Sequence, residues 1–420
     1  MNHAITLPEI LAPAGDMTCL QAALDAGADA VYLGLQNLNM RSLGAANFTR
    51  ENLPDAAARC RSRGVHLYLT LNSLVFNSEL SEAEDLIRFA KPYADAILAG
   101  DWGVIQLCQK WDVPIHISTQ MSCSNALAAA FFRDQGARRV VLARECTLPE
   151  IAEIVHQVGI EVEVFVHGAQ CVAESGRCLL SHDAYGFSSN RGECHQPCRR
   201  EFLVQEFNRY PSSTPTGTDN GDAAFRVTPH RVFSAKDLCS IPFVDRLMAA
   251  GIHSFKIEGR GRNPEYVKTV VEAYREAVRA VASGAFSQAL SDRLVEKCKR
   301  VYHRDFGCGL LFGRPGTDQF TDTNGSQATT KKHYAGLIVN YYAKAKIAQV
   351  QIQDTPISCG DLIQIHGSAT GVVEVTVSEL RHDESLWQTV PRGEWATFPC
   401  EKVRTGDKVY VIKETDTASL

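Results

Sequence analysis

The sequence predicts an α/β protein: a (β/α)8, TIM-like barrel with a cysteine-rich insertion after its seventh strand, followed by a small C-terminal β-barrel. Three observations predict it. Short apolar runs alternate with helix-spaced segments up to residue 168, an eighth run arrives only at 253, and beyond 332 apolar runs recur with no helices between them. Strands alternating with helices build a parallel sheet with crossover helices, and eight such units close it into a barrel rather than an open sheet.

In chain order, strands are expected at EILAPAG (9–15), DAVYLGL (29–35), VHLYLTLN (65–72), DAILAG (95–100), PIHISTQ (114–120), RVVLARE (139–145) and EVEVFVHG (161–168). SEAEDLIRFAKPY (81–93) and TLPEIAEIVHQVG (147–159) have helical spacing between them. The eighth strand, HSFKIEGR (253–260), is preceded by the helix-like VDRLMAAG and followed by PEYVKTVVEAYREAVRAV. The interval at about 169–250 then reads as an insertion at the carboxyl end of strand seven, the end of this fold where active sites sit. The barrel is assigned to 1–311, a polar interdomain linker to 312–332 and the β-rich domain to 333–415. Within the insertion, PSSTPTGTDNGD (211–222) has almost no apolar residue and reads as a flexible loop.

Polar residues gather at the same predicted rim. His116, Thr119 and Gln120 follow strand five, Arg144 and Glu145 follow strand six, His167 ends strand seven, and Glu258, Arg260 and Arg262 follow strand eight. The net charge of −5 argues against indiscriminate binding to nucleic acid, while RGECHQPCRR (191–200) and KIEGRGR (256–262) offer a local basic face. The first residues lack the basic flank and apolar core of a signal peptide, and no apolar run reaches the roughly 18 residues of a membrane span. The expected compartment is the cytoplasm.

Fourteen cysteines are many for that compartment if they form disulfides, because cytosolic thiols stay reduced. Most are scattered and read as small buried apolar residues; Cys171, Cys178, Cys194 and Cys198 are clustered. His167, four residues before Cys171, would give a Cys–His pair, but that leaves the other thiols without a role. A metal site uses several thiolates at once, with Gly168, Gly176 and Gly192 letting the backbone wrap around it. The C-x6-C-x15-C-x3-C spacing is wider than the tight pairs of most zinc sites and suits an iron–sulfur cluster, and spacing alone leaves both open.

EVFVHGAQCVAESGRCLLS (163–181) resembles the signature of the bacterial collagenase-like peptidase family, with Glu163, Phe165, Gly168, Cys171, Gly176, Cys178 and Ser181 in place and Gln170 departing from it. LAPAG (11–15), STQ (118–120), LARE (142–145), FSAKDLC (233–239) and KIEGRGRNPEYV (256–267) are also similar to that family. The resemblance implies an iron–sulfur enzyme that hydroxylates without oxygen. One branch converts the tRNA wobble uridine to 5-hydroxyuridine with prephenate as hydroxyl donor; another hydroxylates ubiquinone precursors. It implies a 4Fe-4S cluster on Cys171, Cys178, Cys194 and Cys239, and leaves Cys198 without a role. YHRDFGCGLLFG (302–313) is similar to a segment of the longer, tRNA-modifying members, with Asp305 departing from their glycine.

On that reading Arg260 and Arg262 clamp a dicarboxylate such as prephenate, His116 and Gln120 complete the substrate site, and Glu145, His167 and Glu258 are the candidates for proton transfer. tRNA is the expected partner and no membrane is involved; Lys402, Arg404, Lys408 and Lys413 in the C-terminal domain are candidates for phosphate contacts. Three alternatives stand beside it: a peptidase, although neither HExxH nor GxSxG occurs, a hydroxylase of a small molecule such as a quinone precursor, and a non-catalytic RNA-binding factor.

Overall fold

The computed structural model describes residues 7–174, 177–201, 233–313, 316–321, 323 and 325–415. Strands β1 (Glu9–Pro13), β2 (Ala30–Leu33), β3 (His66–Leu71), β4 (Ala96–Ala99), β5 (Ile115–Ile117), β6 (Ala137–Val141) and β7 (Glu161–Gly168) pair in sequence, all parallel. After β8 (Asp237–Cys239), a short strand of the insertion, β9 (Ser254–Ile257) pairs in parallel with both β7 and β1 and closes an eight-stranded barrel. Seven of the eight barrel strands fall within apolar runs read from the sequence, and β6 overlaps its run at 139–145 but begins earlier, at Ala137. The strands are buried along nearly their whole length, as a sheet covered on both faces requires.

Helices α1 (Met17–Asp25), α2 (Leu53–Ser62), α3 (Leu80–Ala90), α4 (Trp102–Lys110), α5 (Ala126–Asp134) and α6 (Leu148–Val158) cross over between successive strands. Local chemistry sets their starts. Asp16 Oδ1 accepts from Cys19 N at 2.7 Å, and Thr147 with Glu150 forms a reciprocal cap at α6, which ends on the left-handed Gly159. After α7 (Leu180–Tyr185), which belongs to the insertion, α8 (Val244–Ala249) leads into β9, and α9 (Pro264–Ala282) and α10 (Gln288–Lys299) follow it.

Two cores fill this body. Outward side chains of the strands pack under the helices, while Leu11, Tyr32, Tyr68, Leu98, Val141 and Phe165 fill the barrel interior. Tyr274 of α9 ties the layers together: its hydroxyl donates to Val166 O at 2.6 Å and accepts from Ser240 N at 2.9 Å. Through it the helix holds the end of β7 and the start of the next segment in one register.

The insertion sits on the carboxyl end of β7. β8 pairs antiparallel with His167 and Gly168, and on its other side in parallel with β10 (Phe306–Gly307). The loop expected at 211–222 lies outside the described residues. The stretch read as a linker, 312–332, is described in part and lies against the insertion: Gln319 O accepts from Lys236 N, and Thr321 N donates to Ser234 O.

The β-rich region comprises β11 (Thr330–Tyr342), β12 (Ile347–Ile352), β13 (Ile357–Ser358), β14 (Leu362–Gly367), β15 (Gly371–Thr376), β16 (Leu380–His382), β17 (Ser385–Trp387), β18 (Thr389–Val390), β19 (Trp395–Pro399) and β20 (Lys408–Glu414). Eight of them form one antiparallel ladder in the order β15-β14-β20-β11-β12-β19-β16-β17 around a second core that includes Ile338, Val350, Ile363 and Phe398. The ladder's end strands β15 and β17 do not pair with each other among the described residues, so the small barrel read from the sequence takes the form of an open antiparallel sheet. It docks on the barrel through β15 against α1 and through Lys332, whose ammonium pairs with Glu265 of α9 at 2.8 Å.

Candidate active site

A cavity opens at the carboxyl end of the barrel, beneath the insertion. Its floor is made by inward side chains of the strands, Tyr32, Thr70, Leu98 and Lys256, and its roof by residues of the insertion, among them Cys171, Cys178 and Cys194. Two glycines let the parts close. At Gly168 (φ +103°) a Cβ would stand 2.6 Å from Glu258 O, and at Gly192 (φ +90°) it would stand 2.1 Å from Asn39 O. The first presses strand seven onto strand eight of the barrel; the second presses the insertion onto the loop after β2.

The cavity is strongly cationic. Arg41, Arg144, Arg199, Lys256 and Arg260 line it against one carboxylate, Glu258, among the described residues. Arg41 pairs with Glu258. Burial pushes the Glu258 carboxyl up, but Arg41, Arg262 and Arg144 outweigh it and hold it at about 2. Lys256 Nζ lies 2.7 Å from Glu163, which is fully buried and also pairs with Arg139 at 3.2 Å. Arg260 donates to Thr70 Oγ1 at 2.8 Å, and burial pushes its guanidinium down to about 10. Arg144 lies 4.0 Å over the Phe165 ring, and its Nη1 donates to Ala169 O at 2.6 Å. Neither Arg144 nor Arg260 has a carboxylate within ion-pair distance among the described residues. One buried and one half-buried cation facing open space in this way favour an anionic ligand.

The thiols meet at the roof. Cys171, Cys178, Cys194 and Cys198 all line the cavity. Cys178 N donates to Asn190 Oδ1 at 2.9 Å, and Ser181 Oγ accepts from His195 N at 3.1 Å while lying 4.0 Å from Cys194 Sγ. Burial pushes the Cys171 thiol up, against the Ala173 amide and Arg144, and pushes the Cys198 thiol up against Arg199. Such thiols hold their protons until a metal displaces them. Among the described residues, no three Cys, His, Asp or Glu side chains already converge around a point that could hold a single ion. The donor set nevertheless fits a cluster: four sulfurs on one cavity wall, with guanidinium groups beside them to offset thiolate charge.

The structure brings together Thr119, Gln120, Arg144, Glu258, Arg260, Cys171, Cys178 and Cys194 of the residues singled out from the sequence, and places His116, Glu145, His167, Cys239 and Arg262 elsewhere. Cys239 is buried in β8, where its thiol interacts with Tyr274 and Cys298; Cys198, to which no role was given, lines the cavity instead. His167 faces outward. A register shift between Phe165 and His167 breaks the alternation of β7 and turns the ring toward α9, where Nδ1 lies 3.3 Å from Tyr274 Oη and burial pushes the imidazole down to about 3. It therefore pairs with neither Cys171 nor a ligand in the cavity. His116 points inward but lies below the floor, edge-on to Tyr68 at 4.6 Å and near Arg139, with burial pushing it to about 3. Arg262 turns away to lie 3.6 Å over the Tyr302 ring, and Glu145 is exposed outside the cavity.

Arg41, Asn72 and Lys256 were not anticipated. Asn72 donates to Ser118 Oγ at 3.1 Å and Gln120 Oε1 at 3.2 Å, and accepts from Met40 N at 3.2 Å, locking three loops together. Asn72 directly follows a barrel strand and Lys256 lies inside one, and both positions carry a signal in this fold; Arg41 lies in a long loop with none.

Residues 15–321 match the family model described as peptidase family U32. A collagenase of Porphyromonas gingivalis is 36% identical over 96% of this chain and 97% of its own length. The tRNA hydroxylation protein P1 of Bacillus subtilis is 34% identical over 86% of this chain and 83% of its own, and the tRNA hydroxylation protein P of Escherichia coli is 30% identical over 85% and 86%. No helix among the described residues is long and apolar enough to cross a membrane.

Proposed function

This chain belongs to peptidase family U32, and from that premise we propose that it hydroxylates tRNA, converting the wobble uridine to 5-hydroxyuridine without oxygen, with prephenate as hydroxyl donor and a 4Fe-4S cluster as cofactor. The observation that carries the reading is the cavity itself, which brings four thiols together with Arg144 and Arg260, two cations that have no carboxylate within ion-pair distance among the described residues. The names of two relatives, tRNA hydroxylation proteins, support the substrate class.

Cys171, Cys178 and Cys194 would hold the cluster. Their shared wall with Cys198 favours that thiol as the fourth ligand over the buried Cys239. When bound, the cluster supplies the redox chemistry that side chains lack. The rest falls to this chain. Arg144 and Arg260, spaced around the floor, bind and orient the two carboxylates of the donor. Tyr32, Leu98 and Phe165 give its ring an apolar bed that excludes water. Glu258, held ionised by Arg41, accepts a hydrogen bond at the reacting position.

A peptidase reading has the name of the Porphyromonas relative in its favour. The Cys171–His167 pair it would need is not formed, since His167 is turned away from Cys171. Mass spectrometry of tRNA nucleosides from cells with and without the gene tests the proposal. Loss of 5-hydroxyuridine-type nucleosides in the deletion is expected; unchanged nucleosides would remove it. Arg260→Ala should keep the iron and the bound tRNA while abolishing modification, an outcome a non-catalytic RNA-binding factor does not produce.

A further inference from the structure

The face into which the cavity opens carries a group of exposed large apolar side chains. Phe76 (55% exposed) follows β3, Trp102 (45%) opens α4, Leu127 (84%) and Phe131 (50%) lie one turn apart on α5, and Tyr185 (38%) and Phe187 (41%) stand at the end of α7. All follow the carboxyl ends of barrel strands. Trp102 packs edge-on to Phe131 at 5.7 Å and flat on Phe132 at 5.6 Å. Arg191 lies 4.5 Å over the Phe76 ring, Arg200 5.5 Å over Tyr185, and His195 4.7 Å from Phe187.

Exposed apolar groups gathered at the end of the barrel that holds the cavity mark a binding surface. Their chemistry selects the occupant. The rings are aromatic and accompanied by the guanidinium groups of Arg200 and of Arg191, the latter held by Glu79, and the cavity at the same end of the barrel carries excess positive charge. Unpaired nucleotides match both features, offering flat bases to the rings and phosphates to the cations. Depth adds a second argument. The floor residues Tyr32, Thr70 and Leu98 belong to barrel strands, so a base must leave its stack to reach them, and its neighbours then need new faces to stack upon.

We propose that Phe76, Trp102 and Phe131 form a stacking platform for the unpaired nucleotides of an RNA loop whose reacting base enters the cavity. The proposal rests on the tRNA reading above and names the surface that reading requires.

The test uses the full-length protein and fluorescence anisotropy with two probes, a short RNA stem–loop and a blunt RNA duplex of similar length. The native protein should prefer the stem–loop. Phe76→Ala and Trp102→Ala should each weaken stem–loop binding about ten-fold, the scale of one base–aromatic stack, and leave duplex binding and iron content unchanged. Trp102→Phe should restore affinity, whereas Trp102→Leu, apolar but not flat, should not. Alanine variants that melt like the native protein and bind the stem–loop equally well would overturn the platform, as would Trp102→Leu binding like native. A shift of these variants from dimer to monomer with RNA affinity intact would assign the surface to self-association instead. The two readings fail separately: a native protein that binds neither probe removes the tRNA substrate, while one that binds and modifies tRNA through unaffected rim variants removes only the platform.

Discussion

Arg41 and Glu258, 217 residues apart in the chain, form the ion pair that ties the loop after β2 to the end of strand eight of the barrel, at the edge of the cavity. Its energetics follow from burial. Glu258 is only 8% exposed, and a carboxylate so enclosed needs its cations to stay ionised.

Arg41→Met should therefore destabilise the protein at pH 7 by about 3 kcal/mol, the usual cost of leaving one member of a buried pair uncompensated. The folded value near 2 lies below that of an unfolded glutamate, so this stability is present above about pH 4.5 and disappears as pH falls toward 2. Urea denaturation of native and variant protein checks both parts. The gap between them should narrow between pH 5 and pH 3.

The two barrel histidines act in the same direction, at higher pH. His116 and His167 are pushed to about 3 by burial, so the folded protein keeps them neutral while the unfolded chain takes up protons below about pH 6.5. Each should remove about 2 kcal/mol of stability between pH 7 and pH 5. His167→Phe should flatten the stability–pH slope by about one proton in that interval. An unchanged slope in the variant would show that the ring titrates freely in the folded state.

Iron and sulfide analysis of anaerobically prepared variants separates the thiols. Cys171→Ala, Cys178→Ala, Cys194→Ala and Cys198→Ala should each lose or destabilise the cluster, while Cys239→Ala should keep it, because Cys239 lies in the packed layer beside Tyr274 and Cys298. Full iron in Cys198→Ala with loss in Cys239→Ala would restore Cys239 as the fourth ligand. Stoichiometric zinc without sulfide would remove the cluster itself.

Gly168→Ala should destabilise by about 1–3 kcal/mol from its backbone conformation alone, and by more from the contact with Glu258 O. Since that contact positions Glu258, activity should fall further than the loss of folded protein explains. Thermal melting and tRNA modification assays on the same preparation compare the two losses.

Much of this architecture was legible before folding. Periodicity is a local property, so the eight apolar runs marked the barrel strands, and the helical spacing of 147–159 marked α6. Gln120, Glu258 and Arg260 were found because residues leaving barrel strands lie at one end of this fold. In the β-rich region β13, β16, β17, β18 and β19 were missed, being short or only partly apolar.

The sequence by itself determined the barrel, the place of the insertion and the presence of a thiol group, because each depends on spacing between near neighbours. Only the tertiary structure decided which side chains share the cavity. A register shift of one residue turned His167 out of it, since successive side chains on a strand face opposite ways and a single extra residue reverses them. Arg41 entered from a loop that carries no pattern, because an ion pair needs only proximity in space and leaves no periodic trace along the chain. Cys198 and Cys239 carry the same thiol; one lines the cavity and the other is sealed beneath Tyr274, a difference set by the pairing of β8 with β7.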